Sequence, residues 1–386
     1  MAFGDIFKKF KSIKWSHYIA YVVIIAFIVI SMLSGNLKRT DLYLLEKIGI
    51  SMILAVSLSF VVGFLGELSL GHAGFMCIGA YLGGKISSLL VPSMGNGVLT
   101  LIVSVVAGGI CAALAGLVIG LPALRLKGDY LAIVTLAFGQ IALIIFQNSS
   151  KSSFGGAFGL DTPRYDYNSL YIIIFVIAII TIAAFQNVIR SKHGRAITAI
   201  RDNEIAAKAT GVPVTQYKLF TFIMAAFFAG VAGVLYSYTQ SKVQSVHFDY
   251  NYSIEILVMV VLGGMGSLNG SIAAAALITF LDEKLATVLT GNLAVLQNIF
   301  YSLVLIFIII YSNAPAFQSI REKYNFKKLK SLIRRKNDPS YISDDEGRWD
   351  RVPTKIKMDE LLSVDLTPTT SEDADASDYN GGDTNE

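Results

Sequence analysis

The chain has 386 residues, 54% of them hydrophobic and only 16% charged, with a mean hydropathy of +0.58. Soluble domains carry about a quarter charged residues, so an ordinary soluble globule is excluded. The net charge of +4 averages two materials, because residues 1–320 hold 20 Lys+Arg and 13 Asp+Glu whereas residues 321–386 hold 12 and 15.

A hydrocarbon core roughly 30 Å thick needs about 20 apolar residues at about 1.5 Å each. The sequence offers about ten such spans, near 17–33, 48–65, 73–91, 98–121, 129–147, 169–189, 217–239, 252–267, 268–289 and 294–312. The expected fold class is therefore all-α, a polytopic membrane protein of about ten transmembrane helices. A basic N-terminal segment, residues 1–16, precedes the first span. That span is not read as a secretory signal, since Asn36, Leu37, Lys38 and Arg39 follow it in place of a small-residue cleavage site. With the N-terminus inside, the inner segments collect twelve Lys and Arg against eight on the outside, and both termini are expected in the cytoplasm. Behind the transmembrane domain at 17–312 comes a basic juxtamembrane segment at 313–336, whose stretch from Arg321 to Lys336 suits anionic headgroups. Residues 337–386, with 14 acidic against 4 basic residues, cannot form a core and are expected to be a disordered acidic tail.

Within this frame three segments are not plain lipid-soluble helix. Between the second and third spans, Gly66 to Gly74 bound a break that holds Glu67, Ser69 and His72. Irregular backbone at membrane depth needs protein or water to satisfy it, and ionisable residues there are candidates for a translocation path. The plainer reading is an inner turn with Glu67 and His72 among headgroups. Gly263, Gly264 and Gly266 either unwind a helix beside that path or allow close helix packing, and packing is the better reading. The outer loop at 148–168 contains Gly155, Gly156, Gly159, Asp161 and Arg164, which serve either turns or a docking surface.

The third segment is the cytoplasmic loop at 190–218, whose core reads GRAITAIRDNEIAAKATGV from Gly194 to Val212. Asp202 and Glu204 suit the first turn of one short helix, Lys208 its last turn and Gly211 its C′ position, with Pro213 two residues on. Ala206, Ala207 and Ala209 give that helix a smooth surface framed by Arg195, Arg201 and Lys208. Such a helix fits a groove on another protein; the bland alternative is a helix lying on the lipid surface.

This loop resembles the coupling loop of ABC importer permeases, the element that inserts into the ATP-binding subunit. Together with ELSLGHAGFMCIGAY (67–81), RLKGDYLAIVTLAFGQI (125–141) and SIEILVMVVLGGMGSLNGS (253–271), it is similar to the branched-chain amino acid permease family, in the expected order over almost all of 48–290. Two departures stand out. Ile205 occupies the position of the motif's usual Glu, with Glu204 one residue earlier, and Asn269, Gly270 and Ser271 replace an aromatic residue followed by Gly-Pro. The resemblance implies a permease subunit in the cell membrane that passes leucine, isoleucine or valine, or a similar small solute, into the cytoplasm. It also implies four kinds of company: a second related permease, two cytoplasmic ATP-binding subunits, an extracytoplasmic substrate-binding protein and membrane lipid, with no role for nucleic acid. Gly194, Arg195, Arg201, Glu204, Ala206, Ala207 and Gly211 would form the ATPase-coupling loop.

No enzyme is read from the residues themselves. Cys77 and Cys111 both lie in apolar runs, which leaves no disulfide framework or cysteine-based zinc site. His17, His72, His193 and His247 are scattered, so neither a metal site nor a Ser-His-acid set is traceable. GAYLGGK (79–85) mimics a phosphate-binding loop, but Ile86 stands where a Ser or Thr would hold Mg²⁺. No cofactor is expected in this chain, and ATP and Mg²⁺ would act in the partner ATPase. The reading from a different class is an ion-coupled secondary transporter. Against it, Glu67, Glu255, Asp282 and Glu283 all fall near expected span ends. Relatives that carry urea or short amides are the alternative within the family.

Overall fold

The computed structural model describes residues 38–126, 128–165 and 167–288, with 302, 303 and 306; all belong to the first of two compact units, Met1–Ser312. The expected spans at 17–33 and, for the most part, 294–312 lie outside the described residues, as do the basic N-terminus, the juxtamembrane segment and the acidic tail.

Helix α1 (Arg39–Ser59) runs into a π-helical turn at Phe60–Leu65 and stops at Gly66. It starts earlier than the apolar pattern at 48 suggests, because its first charges find partners: Lys47 pairs with Glu283, and Asp41 lies 3.6 Å from Lys284. Nearly every residue from Leu42 to Leu65 is buried, as expected of a helix that is apolar all round. There follow α2 (His72–Met94), α3 (Val98–Ala123) and α4 (Asp129–Gln147). A short α5 (Lys151–Phe154) and the strand β1 (Leu160–Asp161) lead to α6 (Tyr167–Arg190). Two short helices, α7 (Lys192–Asp202) and α8 (Glu204–Ala209), precede the long α9 (Val214–Thr239). Strand β2 (Lys242–Val243), α10 (Tyr250–Gly263) and α11 (Leu268–Val288) complete the described part.

Six of these helices are long and apolar enough to cross a membrane: α1 with its π-turn, α2, α3, α4, α6 and α9. The protein is thus an all-α membrane protein, with β1 and β2 as one two-residue antiparallel pair. The expected span at 252–267 is a shorter helix. At 14 residues, α10 reaches about 21 Å, too little for the roughly 30 Å hydrocarbon core. The chain between Gln240 and Asp249 makes up the difference as irregular structure sunk into protein, with Val243, Ser245 and Phe248 buried and the Tyr81 hydroxyl donating to the Val243 carbonyl at 3.2 Å. Helix α11 has the length of a span but ends in Asp282, Glu283 and Lys284.

Helix α9 packs along α1, α2 and α3, and small residues make this possible. A Cβ at Gly79 would collide with the Gly230 backbone, one at Gly233 with the Met76 backbone, and one at Gly116 with Ala226. In lipid, where helices gain nothing by hiding apolar surface from one another, such close approach supplies the attraction. Gly108, Gly109, Gly116 and Gly120 of α3 therefore serve packing, as do the rings of Phe138, Phe227 and Phe228, which lie against Phe75 and Phe185 and against each other.

Candidate functional site

Helix α1 ends as a helix must when its last carbonyls have no partner of their own. The π-turn brings Gly66 into the left-handed region (φ +82°), and Gly66 N–H and Glu67 N–H both donate to the Val61 carbonyl. The chain then climbs back through Glu67, Leu68, Ser69 and Leu70 before α2 begins at His72. Its backbone is satisfied by neighbouring hydroxyls: Leu70 N–H donates to Thr135 Oγ1 of α4 at 3.0 Å, and Ala73 N–H to Ser253 Oγ of α10 at 3.1 Å. Gly71 fits only because it has no side chain, since a Cβ would meet the Thr135 carbonyl.

Buried His72 lies 2.7 Å from buried Ser57 Oγ through Nε2. The Ser57 hydroxyl proton is already given to the Leu54 carbonyl at 2.9 Å, so Nε2 carries the proton and donates to Ser57. Ser69 is buried too, and its hydroxyl has no hydrogen-bond partner. His72 and Ser69 thus sit inside protein among helices rather than among headgroups.

Glu67 faces the other way. Its carboxylate accepts from Lys218 Nζ at 2.5 Å, and the same ammonium reaches Glu204 at 3.3 Å. The lysine side chain is only 5% exposed, that of Glu67 12% and that of Glu204 33%. A buried cation therefore ties the break after α1 to the first turn of α8. A second tie lies beside it: Arg201 Nη1 donates to the Gly63 carbonyl at 3.0 Å, while Nε and Nη2 hold Asp202 at 3.0 and 2.8 Å. A cation there complements the C-terminal end of α1. A Cβ added at Gly66 would come within 2.7 Å of Arg201 Cγ, and one at Gly266 would lie 3.4 Å from both Arg201 Nη1 and the Gly63 carbonyl. Arg201 thus fits between two glycine turns, one at the end of α1 and one between α10 and α11.

That second turn sorts its three glycines. Gly264 (φ +89°) and Gly266 (φ +84°) adopt a backbone that other residues rarely take. Gly263 instead gives α10 and α11 room to cross, because a Cβ would strike Gly270 and Ser271.

The cytoplasmic loop forms two helices, not the single one expected. Ser191 caps α7, accepting from His193 and Gly194, and Asn203 caps α8, accepting from Ala206 N–H at 3.0 Å. Asp202 accordingly closes α7 instead of opening α8, because an Asn in extended conformation (φ −159°, ψ 104°) interrupts the run. The C-terminal end is as read from the sequence. Val212 N–H donates to the Ala207 carbonyl and Gly211 N–H to the Lys208 carbonyl, both at 3.1 Å, with Gly211 at φ +86°. Ile197, Ile200 and Ala207 are buried, whereas Arg195, Ala206, Lys208, Ala209 and Gly211 are exposed and Ile205 is 80% exposed. Gly194 is not part of that outward surface: it is buried at the elbow between α6 and α7, against the Ile189 backbone.

The structure therefore gathers Glu67, Arg201, Glu204 and Gly266 at one junction, leaves Ser69 and His72 deeper in the bundle, and turns Arg195, Ala206 and Gly211 outward. Sequence reading did not find Lys218, Gly63, Ser57 or Asn203. Lys218 left one signal, a lone charge at the head of an apolar run, which served there only to orient the chain.

At the opposite end of the bundle, the 148–165 segment is pinned down. Thr162 Oγ1 reaches the Ser237 and Gln240 carbonyls at 2.9 and 3.1 Å, and Asn96 Nδ2 donates to the Arg164 carbonyl at 2.7 Å. Gly155, Gly156 and Gly159 all have positive φ, which accounts for them as turn residues.

Residues 42–309 match the model of the branched-chain amino acid transport system permease component family. The high-affinity branched-chain amino acid transport system permease protein LivM of Salmonella typhimurium is 34% identical over 287 residues, covering 65% of this chain, and the Escherichia coli K12 protein of the same name gives the same values. The match spans 66% of the length of each of those two relatives. The ribose import permease RbsC of Haemophilus influenzae is 24% identical over 283 residues, 69% of this chain and 84% of that one. No solved structure matches the chain. With four sequence blocks in order, a helical membrane fold and a family match over most of its length, the chain belongs to the branched-chain amino acid transport permease family.

Proposed function

We propose that the chain is the permease subunit of an ABC importer that moves branched-chain amino acids, or similar small polar solutes, into the cytoplasm. A separate ATPase drives it through α7 and α8. One observation carries this reading: an exposed, nearly smooth surface of Ile205, Ala206 and Ala209 that is braced to the bundle by Arg201 and Lys218. A helix that merely rests on lipid needs no such bracing, whereas a lever must pass force to the helices it moves. Ile205, in the place of the motif's usual Glu, adds an apolar contact to the docking face. Glu204 is turned inward to Lys218.

In this reading a second related permease encloses the path, two ATP-binding subunits dock on the cytoplasmic side and an extracytoplasmic binding protein delivers the solute. Both termini are cytoplasmic, and about ten helices cross the membrane. The chain itself catalyses nothing. Ribose permeases among the relatives favour the broader wording of the substrate, small polar solutes.

The test is uptake of radiolabelled leucine by vesicles holding the reconstituted complex and its binding protein. Uptake is expected to require ATP and Mg²⁺ on the cytoplasmic side and to survive ionophores that collapse proton and sodium gradients. Uptake that ignores ATP and stops with the ionophores would establish ion coupling instead.

A further inference from the structure

A polar cavity of about 160 Å³ lies at the end of the bundle away from α7 and α8, between α1, α9, α10 and α11. That is about ten times the volume needed to admit one water. It is removed from the Glu67 junction and draws on other residues.

Its chemistry is one-sided. Glu255 of α10 and Asp282 of α11 line it, and so does Lys47 of α1, whose ammonium is paired with Glu283. The cation is thus met by a third carboxylate, and the lining keeps negative charge. Thr279, one turn before Asp282, also lines the cavity. It is 5% exposed, and its hydroxyl has no hydrogen-bond partner, although a threonine in a helix ordinarily gives its proton to a carbonyl a turn earlier. A buried hydroxyl left so costs about 1–3 kcal/mol unless something meets it. On the opposite wall Ile50, Met76 and Phe248 present apolar surface.

We infer that this cavity binds the primary ammonium group of a small amino acid on its way through the protein, with the ligand's aliphatic part against Ile50, Met76 and Phe248. An ammonium has three donors and no acceptor. Glu255, Asp282 and Thr279 offer three acceptors, two of them charged, which is the condition for holding a cation away from bulk water. Carboxylates at this depth are costly and are kept where they face a cavity or pathway. The inference deepens the transport reading and rests on it for the direction of passage, though not for the binding itself.

The experiment is equilibrium binding of radiolabelled leucine to the purified complex, without the binding protein, with two competitors that divide the ligand. One is 3-methylbutylammonium, leucine without its carboxylate; the other is 4-methylpentanoate, leucine without its ammonium. The amine should displace leucine and the acid should not. Glu255→Gln, Asp282→Asn and Thr279→Val should each weaken amine binding about tenfold or more. Equal displacement by both compounds, no displacement by the amine, or unchanged amine affinity in all three variants would overturn the assignment. The competitor comparison uses the unaltered complex, so a variant that fails to assemble does not shield it. If uptake is ATP-driven but the amine does not compete, the inference alone falls. If the amine competes and uptake ignores ATP, the importer reading falls and the cavity assignment stands.

Discussion

Replacing Lys218 by methionine is expected to destabilise the protein by about 3–5 kcal/mol, the usual cost of removing one partner from a buried ion pair. The side chain is 5% exposed and holds Glu67 at 2.5 Å, so its loss leaves a carboxylate 12% exposed and without its cation. Methionine keeps the volume and the apolar stem, and the loss measured is therefore of charge rather than of packing. Glu204, at 3.3 Å and 33% exposed, is in contact with water, and Glu204→Gln should cost about 1 kcal/mol or less. The Glu67→Gln/Lys218→Met double variant should recover most of the loss, because a neutral pair leaves no buried charge unmatched. The check is thermal unfolding of the detergent-solubilised protein for the four members of this cycle. If Lys218→Met unfolds with the unaltered protein, the buried pair is not what joins the break to the loop.

Arg201 should matter less for folding and more for transmission. Its Nη1 donates to the Gly63 carbonyl and its stem passes against Gly66, so Arg201→Ala removes a charged hydrogen bond worth about 1.5–3 kcal/mol. At about 1.4 kcal/mol per tenfold, ATP-driven uptake should fall about tenfold to a hundredfold. The ATP-binding subunit should still co-purify, because Ile205, Ala206 and Ala209 are untouched. Arg201→Lys should rescue only in part, since an ammonium cannot hold Asp202 and the Gly63 carbonyl at once with a planar fork. Gly66→Ala should mimic the loss from the other side, as its Cβ both strains a residue at φ +82° and crowds Arg201 Cγ. Measuring uptake and ATP hydrolysis together separates the cases. Hydrolysis without uptake marks a broken lever, and unchanged uptake in Arg201→Ala would show that the residue transmits nothing.

What the sequence made legible was local. Alternation of long apolar runs with charged loops gave the helical membrane fold, and Lys208, Gly211 and Pro213 gave the end of α8 down to its hydrogen bonds. The break at Gly66 to Gly74 was visible because glycine and charge interrupt an apolar run. Its surroundings were not. Lys218 is far along the chain from Glu67, and nothing in either neighbourhood says that they meet; the pair exists because α9 packs along α1 through the small residues at its centre. Asn203 reads as a helix residue in a run of helix formers until its side chain is seen to cap α8. Glu255 and Asp282 fall near the ends of expected spans, which counted against a role within the membrane. The short α10 and the sunken segment before it bring both to a cavity wall. The four sequence blocks named the family, but only the fold told apart Gly263, which makes room for Gly270, from Gly266, which makes room for Arg201.

The central claim is that the α7–α8 surface is where an ATPase takes hold, and the most direct measurement is co-purification. The tagged chain would be drawn from gently solubilised membranes and its companions identified by mass spectrometry, beside Ala206→Trp, which places a large ring on an exposed alanine without touching the bracing residues. An ATP-binding subunit and a second permease are expected with the unaltered chain, and the second permease alone with Ala206→Trp. Recovery of the chain by itself, or an ATP-binding subunit retained equally by the variant, would contradict the claim.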